Sequence, residues 1–135
     1  MDGLPNEEEA MKTLVESPKV PPPVGPYSPA LKVDQWIFLS GQGGLDPVTG
    51  KVVSTDIVEQ TEQTFRNIEA LLESAGASVD DVVSCLVHLV DLADFPKFNE
   101  VYERQFSDVK PVRTTVRADL VAGMRVEVTA IARTP

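Results

Sequence analysis

Near the C-terminus Arg113, Thr115 and Arg117 stand two residues apart, and Glu127 and Thr129 do the same. That spacing puts each set on one face of a β-strand, because successive side chains of a strand point to opposite sides. Thr114, Val116, Ala118 and Leu120 then share the other face of the first strand, and Val126, Val128 and Ala130 the other face of the second. Joined as a hairpin through Val121-Ala122-Gly123, with apolar faces together, the two strands set Arg117 opposite Glu127 and Leu120 opposite Met124. The polar face has two readings. One is a wet outer surface with a single cross-strand ion pair, worth less than about 1 kcal/mol if exposed. The other is an anion site built on a rigid arginine. Alternation by itself favours the first.

Other catalytic chemistry has few residues to use. His88 is the only histidine and Cys85 the only cysteine. They lie on one apolar strand at an odd spacing, so they face opposite ways and cannot pair. His88 reads as a core or interface histidine and Cys85 as a small apolar filler. A Ser–His–Asp triad would have to draw on that same histidine. No cluster of His or Cys ligands is spaced for a metal. Gly41, Gly43 and Gly44 lack the following helix and the Gly-Lys-Ser/Thr of a phosphate loop, and read instead as a bend in a sheet.

The elements that must position these residues follow from periodicity. Residues 11–16 have strand character, and residues 18–29 hold six prolines that favour an extended connector laid across the domain. Residues 36–40 form a short apolar strand, and Asp46-Pro47-Val48-Thr49-Gly50 a turn. Ser54 or Thr55 can cap a helix running to about Ala75, with Ile57, Phe65, Ile68, Leu71, Leu72 and Ala75 at helical spacing and Gly76 as its stop. Residues 82–90 are apolar at nearly every position, as in a strand covered on both faces. Asp94 caps a second helix striped by Phe98, Val101, Tyr102 and Phe106, and strands over about 113–120 and 124–132 close the chain. The order predicts an α+β domain with two helices on one face of a sheet. Two helices shield only one face, so a partner subunit is expected on the other.

Bulk composition narrows the function classes. The chain of 135 residues carries a formal net charge of −9, with its twelve Lys and Arg scattered. Such a surface repels nucleic-acid phosphates and anionic lipid. One cysteine permits no intramolecular disulfide, which suits a reducing compartment. No apolar run approaches the ~18 residues of a membrane span, and the start has no signal-peptide order, so a cytoplasmic protein is expected. Residues 1–10, with Glu7, Glu8 and Glu9, read as a disordered acidic extension, leaving 11–135 as one domain.

A series of short motifs adds specificity. Gly25-Pro26-Tyr27-Ser28-Pro29-Ala30, Ser40-Gly41-Gln42, Glu59-Gln60 and Asn67-Ile68 come first, then Asn99, Tyr102 and Phe106. Pro111-Val112-Arg113-Thr114-Thr115-Val116, Val126-Glu127-Val128 and Ile131-Ala132 complete it. In order and spacing the series resembles the RidA (YjgF) family from residue 11 onward. The resemblance implies a chorismate-mutase-like fold: a mixed sheet backed by two helices, assembled as a homotrimer with ligand clefts between subunits. It also implies hydrolysis of small 2-imino and enamine acids to 2-keto acids and ammonia, without a cofactor or metal. Carried over residue by residue, Arg113 is the carboxylate anchor, Tyr27 contributes to the cleft, and Glu127 positions or activates water. Thr115, Gly41 and Asn99 match positions near the bound substrate. Thr115 stands where many members have cysteine, and Leu120-Val121 where Leu-Pro is frequent.

These residue types suit that reaction. A planar guanidinium grips a carboxylate through two parallel charge-assisted bonds and fixes the plane of the adjoining imine. A carboxylate can take a proton from water as the carbinolamine forms. Exhaustive chelation is therefore expected to leave imine hydrolysis, followed as ammonia release, unchanged; a loss that added zinc or iron restores would overturn the metal-free assignment.

Overall fold

Seven stretches pair as strands: Thr13–Val15 (β1), Ala30–Val33 (β2), Trp36–Leu39 (β3), Gln42–Gly43 (β4), Val82–Leu89 (β5), Val112–Arg117 (β6) and Val126–Arg133 (β7). They form one sheet in the order β1-β2-β3-β7-β5-β6, with β4 also paired to β7. All contacts are antiparallel except β5 with β6. The sheet is therefore mixed, as expected for an α+β domain of this kind. The computed structural model describes residues 11–135, and the acidic extension expected over 1–10 lies outside them.

The two long helices, Ile57–Ser74 (α1) and Phe95–Glu103 (α2), bury the predicted stripes. In α1 these include Ile57, Phe65, Ile68, Leu71 and Leu72, and in α2 Phe98, Val101 and Tyr102. They pack on the sheet face that carries Ile37, Leu39, Cys85, Val87, Leu89, Val126, Val128 and Ala130, all buried. Two cap assignments change. Asp56 caps α1, its carboxylate accepting from the Glu59 amide at 2.9 Å, while the Ser54 hydroxyl, two residues before the cap, accepts from the Asp56 amide. Asp94 precedes α2 but makes no side-chain cap bond. Its carboxylate is drawn instead to Arg125, whose guanidinium donates to both oxygens at 2.7 and 2.8 Å. A bidentate charged pair outcompetes a single amide donor. Gly76, at φ +82°, ends α1 where glycine was placed.

The expected C-terminal hairpin does not form. β5 lies between β6 and β7. It runs parallel to β6, with Cys85 beside Arg113 and His88 beside Val116, and antiparallel to β7, with His88 beside Glu127. Alternation determines which residues of one strand share a face, and leaves open which strand sits next to it. The neighbour was decided by β5, which enters between β6 and β7 and pairs with both. Its link to β6 carries α2, the crossover that a parallel pair requires. Residues 118–125 then pass around the end of β5, where the Ala118 amide donates to Leu89 O at 3.0 Å and the Val90 amide to Arg125 O at 3.1 Å. Arg117 consequently pairs with Leu89, and Glu127 is not its partner.

Among the described residues, only one face of β5 is covered. On the other, Trp36, Phe38, Leu86 and Val116 are each 38–43% exposed. Among the described residues no helix is long and apolar enough to cross a membrane.

The Arg125–Asp94 pair ties the start of β7 to the entry of α2. Asp94→Ala removes both acceptors from a guanidinium that is about one-third exposed. We expect a loss of roughly 2 kcal/mol in urea unfolding, against a change within about 0.5 kcal/mol for Asp108→Ala on the exposed loop.

Candidate functional site

Arg113 stands on β6 next to Cys85, on the helix-covered face of the sheet. Its guanidinium carbon lies over three rings of α2: 4.7 Å from the centroid of Tyr102, 5.4 Å from Phe95 and 5.5 Å from Phe98. Ring faces attract a cation and restrict its plane without occupying its N–H donors. Among the described residues Arg113 takes part in no ion pair and no side-chain hydrogen bond. Buried oxygens with no hydrogen-bond partner among the described residues fall on the same two elements: Asn99 Oδ1 and Tyr102 OH on α2, and Thr115 Oγ1 on β6. Burial raises the Tyr102 hydroxyl well above its ordinary range, with the adjacent Cys85 adding to the shift and Arg113 opposing it. Burial likewise pushes the Cys85 thiol up, against the pull of Tyr102 and Arg113. Cys85 is thus a neutral, buried thiol, as its sequence context suggests.

A second group gathers where β4 meets β7. A cavity of about 110 Å³ is lined by Tyr27, Gly41, Gln42, Asn67, Met124 and Glu127, among others. The chain reaches it along the proline-rich connector, which is fastened by Ser40 Oγ donating to Ser28 O at 2.6 Å and the Ser40 amide to Pro29 O at 2.9 Å. At Gly41 an added Cβ would lie 2.5 Å from the Glu127 carboxyl carbon, so the glycine leaves that side chain its present place. Gly44 faces a harder limit, since its Cβ would come 2.6 Å from Gln60 Cα, part of a helix backbone that cannot yield. The glycine run thus permits close approach of β4 to β7 and α1, as a bend in the sheet.

Helix α1 holds this cavity in place with buried amides. Asn67 Nδ2 donates to Gly43 O at 3.2 Å and Leu45 O at 3.0 Å. Gln60 spans the loop, its Nε2 donating to Ser54 O at 2.8 Å and its Oε1 accepting from the Arg125 amide at 2.8 Å. Both amides are almost wholly buried, so their bonds are costly to lose.

The six residues singled out in the sequence therefore fall into two sets. Tyr27, Gly41 and Glu127 meet at the cavity, while Arg113, Thr115 and Asn99 belong to the β6–α2 side. Glu127 and Arg113 project from opposite faces of the sheet, because they pair in register with His88 and Cys85, an odd spacing apart on β5. Two neighbours escaped the sequence reading. One is the ring trio under Arg113: α2 showed an aromatic stripe, but nothing in it pointed to β6. The other is His88, whose Nδ1 lies 3.7 Å from Glu127 Oε1. Correct strand order was the missing signal in both cases.

Comparison with known proteins agrees with this architecture. Residues 17–134 match the family model described as Endoribonuclease L-PSP. A RutC family protein of Pyrococcus abyssi is 48% identical over 122 residues, spanning 90% of this chain and 96% of its own. The mouse protein named 2-iminobutanoate/2-iminopropanoate deaminase is 39% identical over 123 residues, 90% of this chain and 91% of its own. The crystal structure of RidA from the Antarctic bacterium Psychrobacter sp. PAMC 21119 superposes with a TM-score of 0.86 at 39% identity, covering 90% of this chain and 98% of that one. The protein is a member of the RidA family, the Endoribonuclease L-PSP family of that model.

The ring trio makes the Arg113 half testable alone. Arg113→Lys keeps the charge but loses the planar fork and the stacking surface. Calorimetric affinity for a small 2-keto acid such as pyruvate should fall at least about tenfold, or roughly 1.4 kcal/mol, while the unfolding midpoint stays near that of the parent.

Proposed function

We propose that this protein hydrolyses small 2-imino and enamine acids to 2-keto acids and ammonia, at clefts formed between the subunits of a homotrimer. The observation that carries the reading is Arg113: a half-buried guanidinium steadied by three rings, with no acidic partner among the described residues and its N–H fork free for a carboxylate. The deaminase name of the mouse relative supports the choice of reaction.

The assembly argument comes from the faces of the sheet. Arg113 and Glu127 project away from each other within one chain, so a substrate gripped by one can reach the other only on a second copy. The open sheet face supplies the apolar surface for such a contact, through Trp36, Phe38, Leu86 and Val116.

In the cleft, Arg113 of one subunit binds the substrate carboxylate and fixes the imine plane. Glu127 of the next accepts a proton from water as the water oxygen bonds to the imine carbon, giving a carbinolamine. That proton passes to the nitrogen; the carbinolamine hydroxyl proton then follows it by way of Glu127 as the C=O bond forms and the C–N bond breaks, and ammonia leaves with the keto acid. Tyr27 and Gly41 shape the wall around Glu127, and Thr115 and Asn99 present polar atoms on the Arg113 side. The same cleft without a competent Glu127 would make a carboxylate-binding trimer that turns nothing over.

Light scattering at micromolar concentration should give about three times the 14.7 kDa chain mass. Arg113→Lys and Glu127→Gln should each be nearly inactive on freshly generated iminobutanoate. Refolded together in equal amounts, they should recover up to about a quarter of parental activity, the share of mixed sites that receive both intact residues. A stable monomer, or mixed trimers as inactive as their parents, would sink the intersubunit site. Full activity in Glu127→Gln would remove that residue from the chemistry.

A further inference from the structure

The pairing of β5 with β7 brings His88 beside Glu127 on the open face of the sheet. His88 Nδ1 lies 3.7 Å from Glu127 Oε1, with the two side chains 23% and 28% exposed. That nitrogen is itself buried and has no hydrogen-bond partner among the described residues. Its neighbours on the strands to either side are Val116 on β6 and Glu127 on β7, and Leu86 precedes it on the same face. Only the carboxylate offers an acceptor among them. An apolar side chain would fill this strand position without the cost of burying an unpartnered polar atom.

We propose that His88 is a positioning residue for Glu127, a role that rests on the reading of Glu127 as the group that takes the proton from water. The imidazole carries its proton on Nδ1 and directs it at Oε1. At 3.7 Å the contact is longer than a direct hydrogen bond, and a small rotation of the carboxylate closes it. Gly41, just before β4, lies against the same carboxylate, where an added Cβ would collide with it. Held between glycine and imidazole, Glu127 keeps one oxygen engaged and presents the other to the cleft. The base then meets water in one orientation, which is where a placed carboxylate contributes to rate.

The test separates donor geometry from packing. An asparagine amide nitrogen falls near the position of imidazole Nδ1, whereas a glutamine amide reaches to where Nε2 would be. On iminobutanoate, His88→Phe and His88→Gln should lower kcat by roughly tenfold, part of the 10²–10⁴ a positioned base contributes. KM and pyruvate affinity should hold, and His88→Asn should stay within about twofold of the parent. Added to Glu127→Gln, His88→Phe should cost nothing further, because the group it orients is gone. If Glu127→Gln is inactive while His88→Phe and His88→Gln turn over like the parent, the positioning role is overturned and the Glu127 reading survives. Equal losses in all three His88 variants, persisting on the Glu127→Gln background, would make His88 a packing residue of the interface. Should His88→Phe fail to assemble, the contrast between the Asn and Gln variants decides alone. An active Glu127→Gln would remove the basis of the proposal together with that of the parent reading.

Discussion

Cys85 and His88 are separated by an odd number of steps along β5, and that parity governs where the candidate chemistry goes. β5 pairs on both edges, so it transmits its alternation to two neighbours at once. Arg113 on β6 inherits the side of Cys85, beneath the helices, and Glu127 on β7 inherits the side of His88, on the open face. A slip of one residue in either pairing would move an ionisable side chain through the sheet and bring apolar ones out in exchange. The buried Val87 and Leu89 beside Thr115 and Arg117, and Val126 and Val128 on β7, make such a slip expensive. The separation of the two halves of the site is thus enforced by the core itself.

Around that sheet, polar groups do the fine placement. Arg125 is the junction: its side chain grips Asp94 at the entry to α2 and Thr55 O before α1, and its amide is held by Gln60. One residue past the 121–124 loop, it joins both helices to the strand that carries Glu127. Asn67 performs the same service for β4, and the glycines of residues 41–44 allow the approach that makes those bonds reachable. Satisfied buried amides of this kind resist rearrangement more than apolar contacts do, since each one broken leaves a desolvated group behind.

The two halves differ in how they prepare for charge. Arg113 is steadied by ring faces, which leave its hydrogen-bonding capacity for a ligand. Glu127 sits beside a buried imidazole nitrogen at the rim of a cavity. The sequence at large carries a net charge of −9, so in the proposed cleft the attraction of a small anion rests on that local guanidinium. Beyond roughly 8–10 Å the surrounding charge is screened by salt.

Much of this was legible in the residues alone. The stripe of Ile57, Phe65, Ile68, Leu71 and Leu72 marks α1, and Gly76 its end, because helical spacing and a left-handed stop are local properties. The opposed facing of Cys85 and His88 also follows from the strand period, and the motif series from Tyr27 to Glu127 indicates the RidA family before any contact is known. Three matters were decided only in three dimensions. Asp94 reads as a cap in sequence, yet a guanidinium 31 residues away binds its carboxylate more strongly than a nearby amide does. Arg117 reads as the partner of Glu127 while the last two strands are taken for a hairpin. Alternation determines a side chain's face but not its neighbour, which depends on the burial gained when β5 enters between β6 and β7. For the same reason the rings of Phe95, Phe98 and Tyr102 could be read as helix core, but not as the bed on which Arg113 lies.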